Sequence, residues 1–292
     1  MKLAIAIQTP EVETIIPVAL ISGSFEEKLV KAARWGADGV ELMTTHPTEL
    51  DRARIQTALK DNGLEVAAVA SGGLAFSLGL SLLNGDAEIA KRANASLYDL
   101  IDLAGDLGVP LVTIGSFRGR LAAGGEGARQ RLVDILRQSA EYAQQSAVRL
   151  VLEPLNRYES DLIANAEQGL AFLEEVNHPA VGLLLDTYHV NIEESSWTEP
   201  FRQLMQAGKL WHVHLGDNNR LPPGQGLIDF AAIMSTLHQS GYAGYLSAEL
   251  LAKPDPDRAA RQTLQYMIPL VRRLAHNNPG SLRDIPKLHF KR

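Results

Sequence analysis

The sequence predicts a (β/α)₈ barrel, a closed ring of eight parallel strands in which each strand is followed by a helix. Three observations lead to this fold class. Eight short apolar runs recur along the 292 residues, helical patterns separate them, and the ends of successive runs lie about 35 residues apart, the length of one βα unit. An open, doubly wound sheet is the alternative, but eight equal units favour closure.

The eight runs are apolar throughout rather than alternating in polarity, which is typical of parallel strands that are covered on both faces. In chain order they are KLAIAI (2–7), GVELMT (39–44), EVAAVAS (65–71), PLVTIGS (110–116), RLVLEPL (149–155), VGLLLDT (181–187), KLWHVHLGD (209–217) and GYLSAEL (244–250).

Amphipathic stretches such as FEEKLVKAARWG and GARQRLVDILRQSAEYAQQ separate the runs and predict helices, the last over roughly 255–275. Several of these stretches end in a glycine, the residue that favours the left-handed position closing a helix: Gly36, Gly63, Gly108, Gly208 and Gly241. We therefore expect one catalytic barrel domain over 1–275, followed by a polar, turn-rich C-terminal tail over 276–292.

Composition excludes several classes of protein. The absence of cysteine rules out disulfides, thiolate metal sites and cysteine nucleophiles. A formal net charge of −6 argues against nucleic acid as a partner. No apolar stretch approaches the length of a membrane span, and we expect no signal peptide because the apolar run at the N-terminus is too short for its apolar core. We expect a cytoplasmic protein without membrane partners.

Chemistry-bearing residues stand at the ends of four successive runs: Glu153, Asp186, the pair His212 and His214, and Glu249. In this fold the active site lies at the carboxyl ends of the strands, so these side chains should converge. Buried carboxylates are costly unless they are paired or bind a cation. Oxygen ligands with one nitrogen suit Mn²⁺, Mg²⁺ or Co²⁺ better than a structural zinc site. The pattern predicts a divalent metal centre.

Four segments carry a resemblance to known proteins: EPLNRYE (153–159), LLLDTYH (183–189), HVHLGDNNRLPPGQG (212–226) and SAEL (247–250). They resemble the sugar isomerases and epimerases of the xylose isomerase-like TIM-barrel superfamily. The resemblance runs over about 1–275 and is strongest to ketose 3-epimerases acting on D-tagatose, D-psicose or L-ribulose, and to keto-sugar-acid epimerases of the 5-keto-gluconate type. It implies a metal-dependent epimerase, with manganese as the first choice, that acts on a small carbohydrate and forms homo-oligomers.

Residue by residue, the resemblance implies that the metal ligands are Glu153, Asp186, His214 and Glu249. The metal histidine in those families is the second of the pair, six residues before a substrate-binding arginine, which here is Arg220. His212 shares the side-chain parity of His214 but lies one layer deeper, so we interpret it as a supporting or core histidine.

The resemblance also implies a mechanism in which Glu153 and Glu249 serve in turn as general base and general acid on opposite faces of the substrate. One removes the proton beside the carbonyl, the other returns a proton, and the metal stabilises the enediolate. His189, Arg220 and Glu159 are the implied contacts to substrate oxygens.

The chain departs from those families in the residues that would hold the far end of the sugar. Places where they carry aromatic side chains hold Ile7, Gln8, Gly115, Ser116 and Leu250 here. In their stead, Arg118 or Arg120 in the loop SFRGRLAAGGEG (116–127) is expected to clamp a carboxylate or phosphate. This expectation favours a sugar acid or a sugar phosphate.

Other activities on the same barrel stay open. An aldose–ketose or hydroxypyruvate-type isomerase would use the same enediolate chemistry. A dehydratase of inosose type is a third candidate. An apurinic-site endonuclease ranks lower, since its additional histidines at the third and fourth strands are replaced by serine and glycine. A non-catalytic sugar-binding barrel is the last alternative, and the presence of both Glu153 and Glu249 argues against it.

Overall fold

The computed structural model describes residues 1–276 and shows a closed barrel of eight parallel strands arranged in chain order. The predicted (β/α)₈ barrel is therefore confirmed. The strands are β1 Lys2–Gln8, β2 Gly39–Met43, β3 Glu65–Ala70, β4 Leu111–Ile114, β5 Arg149–Leu152, β6 Val181–Asp186, β7 Leu210–Leu215 and β8 Tyr245–Ala248. The pairing of β1 with β8 closes the ring. Residues 277–292 of the predicted tail lie outside the described part of the chain.

Every strand is followed by at least one helix, and β3, β4 and β6 are each followed by two. The helices are α1 Phe25–Trp35, α2 Arg52–Asp61, α3 Gly72–Leu78, α4 Ala87–Leu107, α5 Leu121–Gly124, α6 Ala128–Gln144, α7 Ala166–Val176, α8 Thr187–Glu193, α9 Glu199–Gln206, α10 Phe230–Gln239 and α11 Pro256–His276. The five glycines expected at helix ends all have positive φ, from 63° to 92°. Within residues 1–276, no helix combines the length and apolarity that crossing a membrane requires.

Strands β5 and β8 each end just before the glutamate of their apolar run. Glu153 is the first residue after β5, and its N–H still donates to the carbonyl of Ile114 at 3.0 Å. Pro154 follows and has no N–H with which to continue the ladder. Glu249 likewise follows β8 directly. Both glutamates therefore sit at the rim of the barrel rather than inside a strand.

The interior of the barrel changes from apolar to polar along the strands. Ala68, Leu111, Val151 and Leu184 form a small buried apolar cluster, with Trp211 packed against it. Because side chains alternate along a strand, residues two positions further along point to the same side. Those positions hold Ala70, Thr113, Glu153 and Asp186. The next layer toward the carboxyl ends of the strands is thus mostly polar.

A small residue on α3 controls how closely that helix approaches the rim. A Cβ added to Gly73 would lie 2.3 Å from the carbonyl oxygen of Thr44, directly after β2, whereas a Cβ on Gly72 would meet nothing nearer than 3.6 Å. Gly73→Ala should lower the free energy of unfolding by about 1–3 kcal/mol, the cost of overpacking, while Gly72→Ala should change it by less than about 1 kcal/mol. Urea denaturation measures both; equal effects would contradict the packing at Gly73.

Candidate metal centre and active site

The four side chains predicted as metal ligands meet at the carboxyl end of the barrel. One ligand atom of each of Glu153, Asp186, His214 and Glu249 lies within 4.8 Å of the others, and all four residues are buried. Nδ1 of His214 is 3.2 Å from Oε2 of Glu249 and 3.6 Å from Oε1 of Glu153. We call these four residues the carboxylate–histidine cluster.

Local structure leaves one oxygen of Asp186 free to point into the cluster. Asp186 ends β6 and caps α8, and its Oδ1 accepts the N–H of Tyr188 at 2.8 Å. Its Oδ2 is buried and has no hydrogen-bond partner. Glu153 needs space on the β4 side, because a Cβ on Gly115 would lie 2.4 Å from its Oε2. Glycine at 115 therefore makes room for the Glu153 carboxylate.

The donor set of the cluster fits a divalent cation. Oε1 of Glu153, Oδ2 of Asp186 and Nδ1 of His214 are all buried without a hydrogen-bond partner. Orphaned buried polar atoms cost free energy, on the order of 1–3 kcal/mol each. A cation coordinated by the cluster would satisfy all three atoms at once. Three carboxylates with one imidazole suit Mn²⁺, Mg²⁺ or Co²⁺.

The electrostatics of the cluster reflect its burial. Burial raises the pKa of Asp186 to about 7, against the lowering effect of Arg220, and burial also raises the pKa of Glu153. Burial by itself would lower the pKa of His214, but the carboxylates of Glu41 and Glu249 hold that pKa well above its usual value. The cluster therefore concentrates negative charge where water cannot stabilise it.

Arg220 joins two of the acidic side chains at the rim. Its guanidinium donates to both oxygens of Glu159, at 3.2 and 3.3 Å, and lies 3.7 Å from Oε2 of Glu249. The guanidinium also stacks on the ring of Tyr188, 4.9 Å from the centroid. Glu159 thus pairs with Arg220, whereas its neighbour Arg157 binds Glu193 instead.

The loop that presents Arg220 is built around the buried carboxylate of Asp217. That carboxylate accepts the N–H groups of Gly224, Gly226 and Ile228 at 2.8–3.2 Å. Arg220 itself has φ 57°, a left-handed conformation that is costly for a residue with a Cβ. Its carbonyl accepts the N–H of Leu251 at 2.8 Å. The loop therefore holds the arginine backbone in place over the cluster.

His189 on α8 points one ring nitrogen at the cluster. Its Nδ1 accepts the backbone N–H of Asn156 at 3.3 Å, so the proton lies on Nε2. Nε2 is buried without a hydrogen-bond partner, 3.8 Å from Oε1 of Glu153 and 4.0 Å from Oδ2 of Asp186. Burial, together with the charges of Arg220 and Arg118, holds the pKa of His189 well below its usual value. His189 is a neutral hydrogen-bond donor aimed into the site.

The expectation that Arg118 clamps the substrate is wrong. Arg118 is 0 % exposed. Its guanidinium donates to backbone carbonyls and to one hydroxyl, at 2.6–3.3 Å, on Gly115, Glu153, Ser160, Leu162 and Ile163. These bonds tie the loop after β4 to the loop after β5. The remaining donor, Nε–H, is buried without a partner, and Arg118 does not line the cleft over the cluster, so its guanidinium is not presented to a substrate. Arg120 is an exposed residue that donates to the carbonyl of Tyr158 at 3.5 Å.

Sequence reasoning missed two buried residues that support the site. Asn156 is 0 % exposed, and its side-chain amide bridges Glu159 and His189 at 3.0 and 2.8 Å. Glu41, in the middle of β2, is also 0 % exposed and contacts both His212 and His214. An acid inside the apolar run GVELMT was the available signal for Glu41. His212 lies one layer below His214, as expected.

A cleft opens over the cluster between the ends of β3, β4, β5, β7 and β8. Its wall opposite Arg220 is made of small residues and one aromatic side chain, Phe76, which is 45 % exposed. The residues of that wall are Ser71, Gly72, Phe76, Gly115 and Ser116. Among the described residues that line the cleft, Arg220 alone carries a guanidinium or ammonium group, and it is already paired with Glu159 and Glu249.

Comparison with known proteins gives one consistent family. A family model described as xylose isomerase-like TIM barrel matches residues 29–270. The L-ribulose 3-epimerase of Mesorhizobium japonicum is 35 % identical over 231 residues, which cover 77 % of this chain and 74 % of that protein. The 3-dehydro-D-guloside 4-epimerase of Escherichia coli is 29 % identical, with 73 % and 82 % covered. A solved structure of L-ribulose 3-epimerase superposes with a TM-score of 0.75 at 29 % identity, covering 93 % of this chain and 95 % of that one.

Arg118 should matter for stability rather than for charge recognition. Arg118→Ala leaves several buried carbonyls without a donor and should lower the free energy of unfolding by several kcal/mol, on the order of 3 or more. Arg120→Ala, two positions away and exposed, should change it by no more than about 0.5 kcal/mol. Urea denaturation of both variants checks this. The opposite result would be an Arg118→Ala protein that has normal stability but no longer turns over charged sugars. That result would support Arg118 as the residue that binds the substrate's anionic group.

Adding Mn²⁺ to chelator-treated protein should raise the melting temperature. The stabilisation is about 2.7 kcal/mol when the free metal is a hundredfold above its dissociation constant. Asp186→Asn should remove most of this rise without unfolding α8, because asparagine still caps a helix. Asp134→Asn on the exposed face of α6 should keep the full rise. Differential scanning calorimetry compares the three proteins; an undiminished rise in Asp186→Asn would exclude Asp186 as a ligand.

Proposed function

Because the chain belongs to the xylose isomerase-like TIM-barrel family, we propose that it is a sugar epimerase that inverts a carbon next to the carbonyl of a keto-sugar. The observation that carries this proposal is the arrangement of Glu153 and Glu249. Their carboxylates come from β5 and β8, with two strands between them, and both face Nδ1 of His214. The proposal agrees with relatives that are named as ketose 3-epimerases and as a 4-epimerase.

The two glutamates would exchange protons with opposite faces of the substrate. One carboxylate takes the proton as the C–H bond breaks, and the bonding electrons move onto the carbonyl oxygen to give an enediolate. The other glutamate, protonated at the start, delivers its proton to the opposite face of the same carbon. Burial raises the pKa of Glu153, which brings a carboxyl group closer to the range where it can both hold and release a proton near neutral pH.

The carboxylate–histidine cluster would hold a divalent cation, with Mn²⁺ as the first choice and Mg²⁺ or Co²⁺ as alternatives. When bound, the cation supplies Lewis acidity toward the carbonyl oxygen and the neighbouring hydroxyl. Nε2–H of His189 would donate to a substrate oxygen from the β6 side. Arg220, which contacts Glu249, would donate to the substrate from the β7 side and hold that carboxylate in position.

The cleft favours a neutral keto-sugar over a sugar acid or a sugar phosphate. Arg118, the residue expected to bind an anion, instead donates hydrogen bonds to backbone carbonyls. Glu159 also adds negative charge to the rim. Serine and glycine residues and the ring of Phe76 offer hydroxyl contacts and an apolar face to the far end of a sugar. A nuclease is disfavoured, because within residues 1–276 no histidine of β3 or β4 joins the cluster. The cytoplasmic location and the homo-oligomer stay predictions.

Nuclear magnetic resonance in D₂O tests the proposed reaction. Manganese-loaded protein is incubated with free ketoses, keto-sugar acids and ketose phosphates. Deuterium should enter at the carbon beside the carbonyl of a free ketose as the inverted epimer appears. Glu153→Gln and Glu249→Gln should each slow this exchange by about 10²–10⁴-fold. Glu175→Gln, an exposed glutamate on α7 paired with Arg129, should exchange at the wild-type rate.

The possible products separate the candidate activities. An aldose that carries deuterium would make the protein an aldose–ketose isomerase. Turnover confined to keto-sugar acids or ketose phosphates would refute the proposal that the substrate is neutral. It would leave the proposed enediolate chemistry unchanged. Absence of exchange in every compound, with metal bound, would refute the epimerase proposal.

A further inference from the structure

We propose that Glu41 is a positioning residue, a carboxylate that accepts a hydrogen bond from His214 and thereby holds its other ring nitrogen toward the metal centre. This inference rests on the metal site of the proposed function. Glu41 lies on β2 and the two histidines on β7, so the contact crosses the interior of the barrel. The sequence separation is 171 residues to His212 and 173 to His214.

The geometry makes Glu41 the common acceptor for both imidazoles. Its Oε2 lies 3.0 Å from Nε2 of His212, and its Oε1 and Oε2 both lie 3.2 Å from Nε2 of His214. The hydroxyl of Thr113 makes a longer contact of 3.4 Å to Oε1. All four residues are buried. A carboxylate held by three donors from two other strands has little freedom to turn.

This contact selects the tautomer of His214. An ionised carboxylate only accepts hydrogen bonds, so Nε2 of His214 must carry the proton that the bond to Glu41 requires. The nitrogen left to lose its proton to a metal is then Nδ1, which faces Glu153 and Glu249 and has no hydrogen-bond partner. A neutral imidazole binds a metal through its unprotonated nitrogen. Glu41 therefore presents His214 in the form that can be a ligand.

The same contacts indicate that His212 supports the Glu41 carboxylate. Its ring stands edge-on to the ring of His214, with centroids 5.1 Å apart and planes at 86°. Its Nε2 supplies Glu41 with a second donor, so the carboxylate does not depend on His214 alone. His212 and His214 point to the same side of β7. His212 holds the carboxylate of Glu41 in place, and Glu41 in turn orients His214.

A second cation shared by Glu41, His212 and His214 is the competing interpretation, since these three residues could also form a ligand group. The distances of 3.0–3.2 Å between facing atoms are those of direct hydrogen bonds. Each facing pair also holds the one donor and the one acceptor that a hydrogen bond needs, since an imidazole carries an N–H and an ionised carboxylate only accepts. The hydrogen-bonded arrangement accounts for the geometry without an ion, and metal stoichiometry distinguishes the two.

Glu41→Gln tests the proposal, because glutamine keeps the shape but can donate as well as accept. Titration calorimetry with Mn²⁺, without substrate, should show binding weakened by about 10–100-fold, as for other partners of ligating histidines. Nitrogen-15 spectra of the protein loaded with diamagnetic Mg²⁺ should show His214 protonated at Nε2 in the wild type and should lose this single pattern in Glu41→Gln. Glu65→Gln, on neighbouring β3 with an exposed carboxylate, should match the wild type in both measurements.

A smaller change keeps the test decisive if Glu41→Gln does not fold. His212→Asn removes one donor from Glu41 and should weaken Mn²⁺ binding severalfold while the spectrum still shows His214 protonated at Nε2. Unchanged Mn²⁺ affinity and an unchanged tautomer in the folded variant would overturn the proposal, as would two Mn²⁺ per wild-type chain and one in Glu41→Gln. Because no substrate is present, weakened binding in a protein that epimerises nothing would refute the proposed function and leave the role of Glu41 standing.

Discussion

The structure depends on the cost of burying three carboxylates and an imidazole together at the end of the barrel. Glu153, Asp186, His214 and Glu249 leave almost no surface in contact with water, and three of their polar atoms have no hydrogen-bond partner. Such a group is stable when a cation supplies the missing charge and coordination. The orphaned atoms, the raised pKa of Asp186 and the glycine that clears space for Glu153 are consequences of the same arrangement.

Charged residues around the cluster divide into those that face the cleft and those that build its walls. Asp217 and Arg118 are both buried, and both form hydrogen bonds with backbone groups of neighbouring loops. Asp217 shapes the loop from which Arg220 projects, and Arg118 fastens the loop that carries Glu159. Burial of a charge is tolerable when most of its donors or acceptors are used in this way. The wall residues thus fix the positions of the residues that would touch a substrate.

Glu41 extends the same principle beneath the site. A carboxylate at the centre of a barrel would be costly alone, but the two imidazoles of β7 provide its hydrogen-bond donors, and it orients one of them in return. The pair of histidines at alternate positions is therefore one unit with Glu41. It links opposite walls of the barrel directly below the place where the proposed proton transfers would occur.

The sequence by itself determined the βα repeat, the glycines that end helices and the four strand ends that carry the cluster. These follow from local periodicity and from parity along a strand, which a single segment already contains. The tertiary structure alone decided that Arg118 faces inward, that Arg220 pairs with Glu159, and that Glu41 meets His214. Each of those contacts joins segments far apart in the chain. The local sequence around a residue shows which face of its strand or helix it lies on, but not which residue of another segment it contacts. Only closure of the barrel, which brings β2 across from β7, sets those partners.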